Sequence, residues 1–148
     1  MTDDAQAYLA IERLQRAYAD MATRRAFFEA PSILTPDANI SFDTRTGEVF
    51  QIHGPAEFGE FGTKMTAGFP FYEYIPLNFV VTVGPDDTAR GRSYSLEVAE
   101  TEQNRDWIEF YGVYDDEYRI FQGEWRFSSR RYRTYARRTA GRLEAYRL

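Results

Sequence analysis

The chain contains no cysteine. Disulfides, thiolate nucleophiles and Cys-ligated metals are thereby excluded. Histidine is nearly absent as well, His53 being the only one. A single imidazole cannot build a His-rich metal site, and no carboxylate spacing resembles a calcium loop. There is no phosphate-cradling glycine loop and no nucleophile elbow. A triad would have to use His53, which stands just before a predicted helix and reads as a local structural residue. No apolar run approaches the ~20 residues of a membrane span. The acidic start, Met1-Thr2-Asp3-Asp4-Ala5, has no apolar run behind it and does not read as a secretory leader. The expectation is a cytoplasmic protein with no metal, no organic cofactor and no membrane partner. The chemistry left open is proton transfer by Tyr, Asp, Glu or Arg, or plain ligand binding.

What is abundant is aromatic. Of 148 residues, eleven are Tyr and twelve Phe, and aromatics make up 17%. The length suits one domain, residues 1–148, with a core over about 5–138 and an extension over 139–148. Aromatics favour strand surfaces and bury large areas, and tyrosines add a hydroxyl at the tip. That composition fits an apolar pocket with polar handles, and equally a tyrosine-rich sheet surface. The net charge of −5 argues against nucleic acid as a partner. The charge is uneven, with Arg126, Arg130, Arg131, Arg133, Arg137, Arg138, Arg142 and Arg147 crowded near the end. They alternate with Tyr and Thr as in a strand, so they read as an edge strand and its extension facing solvent or a neighbouring subunit.

Ala7, Ile11, Leu14, Tyr18 and Met21 fall at helical spacing, with Glu12, Arg13, Gln15 and Arg16 on the other face. Asp3 and Asp4 suit the positive end of that helix. Phe27, Phe28, Ile33 and Leu34 form a second short cluster interrupted by Pro31. Thr35-Pro36-Asp37 reads as a stop and turn. The period then changes. Residues 39–42 and 48–52 read as short strands around a turn. Pro55 opens a third helix with Phe58, Phe61 and Met65 as its stripe. Four long strands follow, at about 69–83, 88–101, 107–121 and 124–138, with short turns that imply an antiparallel meander. Helices first and a long meander afterwards indicate an α+β fold. Strands this long curl, so a cone-shaped sheet closed by helices and holding a pocket is expected.

Several segments in this order resemble a known family. They are Ile11-x-x-Leu14-x-x-Ala17-Tyr18-Ala19, Leu34-Thr35-Pro36-Asp37-Ala38, Gly54 before a short helix, and Asn78 before a Val-rich strand. Thr88-Ala89-Arg90-Gly91 and Gly123-x-Trp125-Arg126-Phe127-x-x-Arg130 continue the series. Together they resemble the SnoaL-like, nuclear transport factor 2-type proteins over about residues 8–138. Scytalone dehydratase and bile-acid 7-alpha-dehydratase types look nearest, through the Tyr18 region, Phe50-x-Ile52-His53-Gly54-Pro55 and Arg133-x-Tyr135. The resemblance implies a cystatin-like curved antiparallel sheet, packed against N-terminal helices, that holds a small hydrophobic cyclic substrate. It also implies dimers or trimers.

In such dehydratases a Tyr on the first helix, an Asp five residues later and a His on the first long strand carry the reaction. Carried over, the Tyr is Tyr18, the Asp position is Thr23 and the His position is Tyr74. An Arg on the last strand looks matched by Arg133. The acid–base pair is therefore missing. Tyr74 remains a possible general acid or oxyanion donor. A base must come from Asp20, Asp43, Glu97 or Glu109. Thr23, Asn78, Glu97, Trp107, Glu109 and Tyr111 are expected around the substrate. Glu97 has the opposite parity to Tyr94, Leu96 and Val98, whereas Glu109 shares parity with Trp107 and Tyr111. A carboxylate pressed into an aromatic wall has a raised pKa; one facing solvent pairs with arginine. Three functions stay open: a cofactor-free lyase, isomerase or cyclase; a binding protein that lost catalysis; and an assembly module.

Overall fold

The computed structural model describes residues 3–148; Met1 and Thr2 of the acidic start lie outside it. Helix α1 spans Asp4–Arg24, with Asp3 at its N-cap accepting from the Ala5 N–H at 3.4 Å. It ends where Arg25 turns left-handed at φ 58°. Its predicted apolar stripe is buried throughout. Gln15 departs from expectation, because it is only 6% exposed. It lies four residues after Ile11 and three before Tyr18, and so falls within the inward stripe. Burying each large apolar side chain of this face contributes roughly 1.5–3 kcal/mol, and the face packs on β3 and β6. A 3-10 helix follows over Phe27–Ser32.

Strand β1 runs over Leu34–Asp43 and so includes Thr35-Pro36-Asp37, which the sequence reads as a stop. The register slips between Leu34 and Asn39. That bulge admits Pro36, which has no N–H for a ladder. Strand β2 is Phe50–His53, shifted from the expected 48–52. Helix α2, Gly54–Thr66, starts with Gly54 at φ +76°, where a Cβ would stand 3.0 Å from the Pro36 carbonyl oxygen. His53 serves that start: its N–H donates to the Glu57 carboxylate at 2.8 Å, and its ring Nδ1 bonds Asn39 at 2.8 Å. Phe58 is buried, Phe61 is half-buried and Met65 is 41% exposed.

The long strands β3 (Phe71–Val83), β4 (Thr88–Glu100), β5 (Trp107–Phe121) and β6 (Glu124–Thr139) lie within two residues of expectation. Gln122 and Gly123, at φ 51° and 82°, make the tight β5–β6 turn. A short β7, Arg142–Ala145, folds back on β6, so the C-terminal extension belongs to the sheet.

The strand order is β2-β1-β6-β5-β4-β3, with β7 also on β6. The fold is α+β, with N-terminal helices covering a curved, unclosed sheet. That sheet is mixed rather than wholly antiparallel, because β1 pairs in parallel with β6. The pairing also overturns the reading of the arginine-rich segment as an edge. β6 lies inside the sheet, between β1 and β5, and Arg130 on it has no exposure to water. Among the described residues no helix is long and apolar enough to cross a membrane.

The inward face has little slack. A Cβ at Gly112 would fall 2.1 Å from Cε2 of Tyr132 and 2.9 Å from Oγ of Ser95. Gly112→Ala is expected to destabilise the protein by about 1–3 kcal/mol through overpacking. Urea denaturation checks this, and a smaller residue at Tyr132 in the same chain should recover part of the loss.

Candidate functional site

Side chains from α1 and all four long strands converge on the concave face. At its deep end Arg130 and Asp116, cross-strand partners on β6 and β5, form a forked ion pair. Nε donates to Oδ1 at 2.8 Å and Nη2 to Oδ2 at 3.1 Å, both side chains being fully buried. Oδ2 also accepts from Gln15 at 2.9 Å, Ser93 at 3.0 Å and Tyr118 at 3.1 Å. The guanidinium stacks on three rings, 3.8 Å from Tyr114, 4.1 Å from Phe127 and 4.2 Å from Tyr18. Its Nη1 has no hydrogen-bond partner; the ring faces around the group supply cation–π attraction instead.

Those rings begin a wall of tyrosines. The Tyr18 and Tyr114 hydroxyls are 3.3 Å apart. The Tyr74 ring meets Tyr18 edge-on at 5.3 Å, and Tyr132 lies 5.0 Å from Tyr114. Burial raises the Tyr18 phenol to about 12, the Arg130 charge pulling the other way. Tyr72, Tyr74, Tyr114 and Tyr132 are also raised, in each case mainly by burial. All stay neutral hydroxyl donors near neutral pH.

Beyond the wall opens a cavity of about 190 Å³. A dry apolar cavity of ~150 Å³ holds benzene, so this space suits a small ring compound. Tyr18, Phe58, Phe110 and Tyr132 form much of its apolar lining. Among the described lining residues Glu97 is the one carboxylate and Arg137 the one cation. Glu97 accepts from the Tyr72 hydroxyl at 3.0 Å. Burial lifts its pKa to about 7, against opposing pulls from that hydrogen bond and from Arg130. At that value it takes or gives a proton readily near neutrality.

The sequence-named residues divide sharply. Tyr18, Tyr74 and Glu97 come together on the concave side. Thr23 joins them as a clamp, its hydroxyl accepting from the Tyr74 N–H at 2.9 Å and donating to the Tyr74 carbonyl at 3.3 Å. Asp20 does not join them. It is two residues past Tyr18, near the opposite side of the helix, 65% exposed and paired with Arg24. Arg133 lies on the convex face, cross-strand from Val113 and 3.3 Å from Asp115. Trp107, Glu109 and Tyr111 share that face by parity; Trp107 stacks on Phe71, and Glu109 pairs with Arg138 at 3.3 Å. Asp43, facing the Arg133 register, pairs with Arg45 at 3.2 Å. Asn78 is exposed, where the β3 register slips between Pro76 and Phe79.

Sequence reasoning missed Gln15, Tyr72, Asp116, Arg130 and Arg137 as site residues. Two signals were present. Arg130 shares parity with Tyr132 and Thr134, and Gln15 sits in the helical stripe. Arg137 had no such signal, because a bulge reverses the parity before it.

Residues 3–131 match the family model described as SnoaL-like domain. No curated protein matches the chain. Among solved structures it resembles a candidate scytalone dehydratase from Novosphingobium aromaticivorans, at TM-score 0.74 and 20% identity, over 95% of this chain and 88% of that one. It also resembles the hexachlorocyclohexane dehydrochlorinase LinA-type3 from Novosphingobium barchaimii, at TM-score 0.79 and 17% identity, over 95% and 94%. A third is the Kfla4162 protein from Kribbella flavida, at 0.78 and 18%, over 92% and 95%. At these identities the likeness is one of fold.

Two stability outcomes follow from the buried charges. Arg130→Met strands the Asp116 carboxylate and is expected to cost about 3–5 kcal/mol. Adding Asp116→Leu should cost less than the sum of the two single changes, as a double-mutant cycle by chemical denaturation reads directly. Glu97 holds its proton more tightly in the folded state than in the unfolded chain. Its contribution is therefore complete below its ordinary value of 4.5 and is lost as pH rises through about 7. The loss is at most about 3 kcal/mol. Thermal melts across that window should fall for the wild type and stay flatter for Glu97→Gln, which becomes the more stable protein at alkaline pH.

Proposed function

We propose that this chain, which belongs to the SnoaL-like domain family, is a cofactor-independent lyase or isomerase of dehydratase or cyclase type. Its substrate is a small hydrophobic cyclic molecule held in the cavity. The observation that carries this reading is Glu97, a carboxylate turned into an aromatic cavity, raised to about 7 and bonded by Tyr72. A candidate dehydratase and a dehydrochlorinase among its structural neighbours support the reaction class.

The site has one acid–base group where an Asp–His pair would supply two, so a single group must move the proton both ways. As carboxylate, Glu97 removes a proton from the carbon beside a ring carbonyl. The C–H electrons form a C=C bond with the neighbouring carbon as the C–O bond there breaks. The same proton, returned from Glu97 to the departing hydroxyl on the same face, completes a molecule of water. If no hydroxyl is present, return of the proton to another carbon is an isomerisation. Negative charge that develops on the carbonyl oxygen is met by the hydroxyls of Tyr18 and Tyr114, neutral donors in a water-poor pocket. Arg130 behind their rings favours that charge.

A second reading has its own support. Thr23 stands at the family's Asp position, and its hydroxyl is engaged by the Tyr74 backbone, which leaves no base there. In that case the cavity binds a ligand without converting it.

Incubation with cyclic β-hydroxyketones, followed by absorbance of the enone product, separates the two. Turnover should rise with pH through about 7 and fall at least ~100-fold in Glu97→Gln. Tyr18→Phe should lower kcat more than it changes KM. Full activity in Glu97→Gln would remove Glu97 from the reaction, and recovery of the ligand bound but unchanged would favour the binding protein.

A further inference from the structure

Arg137 has no role in the proton transfer above, yet the chain takes trouble to turn it inward. On β6 the inward positions run Arg130, Tyr132, Thr134. Continued alternation would bring Ala136 inside and put Arg137 in solvent. Between the pairs Gly112↔Thr134 and Tyr111↔Ala136 the register slips, and Tyr135 is the extra residue. A bulge of this kind re-aims the side chains beyond it. Tyr135 joins Tyr94 and Tyr111, and Arg137 becomes the cross-strand partner of Phe110 and lines the cavity.

Glu97 is the partner of Phe110 on the other side. Glu97, Phe110 and Arg137 thus form one inward row across three strands. With strands spaced about 4.8 Å apart, the acid–base group and the cation stand about 10 Å apart at the backbone, with a phenyl ring between them.

The guanidinium is only loosely engaged where it stands. Its Nη2 is 3.4 Å from the Tyr146 hydroxyl and 3.7 Å from the Glu144 carboxylate. Glu144 is half exposed and itself accepts from Tyr146. By contrast, Arg130 is forked on Asp116 at 2.8 and 3.1 Å. A long contact to an exposed carboxylate is worth little and is readily exchanged, whereas a carboxylate entering the cavity can take a planar guanidinium in bidentate fashion.

We propose that Arg137 is the specificity-determining residue of the cavity and selects a ligand with an apolar ring body that carries a carboxylate at the end remote from Glu97. The ring lies on Phe110 and its carboxylate takes the place of Glu144 on Arg137. This rests on the reading of Glu97 as the reacting end, but its test is binding alone. The β6–β7 hairpin, turned by Ala140 and Gly141 at φ 51° and 78°, becomes a wall of the site rather than an appendage.

The probes are 2-naphthoate and its neutral isostere 2-naphthamide, titrated by fluorescence at mildly acidic pH, where Glu97 is protonated and naphthoate ionised. Wild type should bind naphthoate about tenfold more tightly than naphthamide, in keeping with a hydrogen-bonded charge pair. Arg137→Gln should abolish the preference, weakening naphthoate far more than naphthamide. Arg137→Lys should keep part of it. Glu144→Gln, which removes the competing carboxylate, should tighten naphthoate severalfold. Equal binding of the two probes by wild type, or a preference that survives Arg137→Gln, would overturn the assignment while leaving the cavity and Glu97 intact. Binding of neither probe would bring down both readings. Arg137 is partly exposed and outside the core, and matching thermal melts of the variants exclude a folding defect.

Discussion

A guanidinium with no access to water sits at the closed end of this sheet, and much of the architecture exists to hold it. Burying a charge costs several kcal/mol even when it is paired, so Arg130 is tolerated only because its surroundings are complete. Asp116 takes it in a fork; Gln15 from α1 and Ser93 from β4 fix the carboxylate; Tyr118 closes the last approach. The same cluster ties the helix to the inner strands. A slip of one residue in β5 or β6 would turn Asp116 or Arg130 to the convex face and leave the other buried alone. The ion pair therefore sets register as well as charge.

The pair also organises the wall before it. Tyr18, Tyr114 and Phe127 are placed by stacking on the guanidinium, and two of those rings present hydroxyls to the cavity side. The concave face is graded from a satisfied charge at the bottom, through neutral tyrosine donors, to a cavity near whose wall one carboxylate remains poorly satisfied. Asp116 and Glu97 show the contrast. Asp116 accepts from Gln15, Ser93 and Tyr118 and is forked on a cation, while Glu97 has one phenol and an apolar surround.

Much of this was legible in the chain. The stripe Ala7, Ile11, Leu14, Tyr18 marks α1, because helical spacing and burial are locally linked. The turns at residues 84–87 and Gln122-Gly123 mark the meander, because tight turns need particular residues. Tyr18 and Tyr74 could be read as neighbours by resemblance, whereas parity set Glu97 opposite the apolar Tyr94, Leu96 and Val98 and left its direction open. Asp20, named for its nearness to Thr23, Arg133, named by resemblance, and Glu109 and Tyr111, grouped by their shared parity with Trp107, lie away from the cavity, because helical phase and the choice of inward strand face turn each of them outward.

The sequence by itself determined the two main helices and the four long strands, their order, the α+β class and the absence of thiol chemistry, since each follows from composition or short-range pattern. Only the tertiary structure decided that β6 is interior, that β1 runs parallel to it, and which arginines go in. Eight arginines near the C-terminus look alike in one dimension. Pairing with β1 on one side and β5 on the other buries Arg130, and a single-residue bulge at Tyr135 then brings Arg137 to the cavity. Strand neighbours and bulges depend on partners distant in sequence, and no local pattern encodes them.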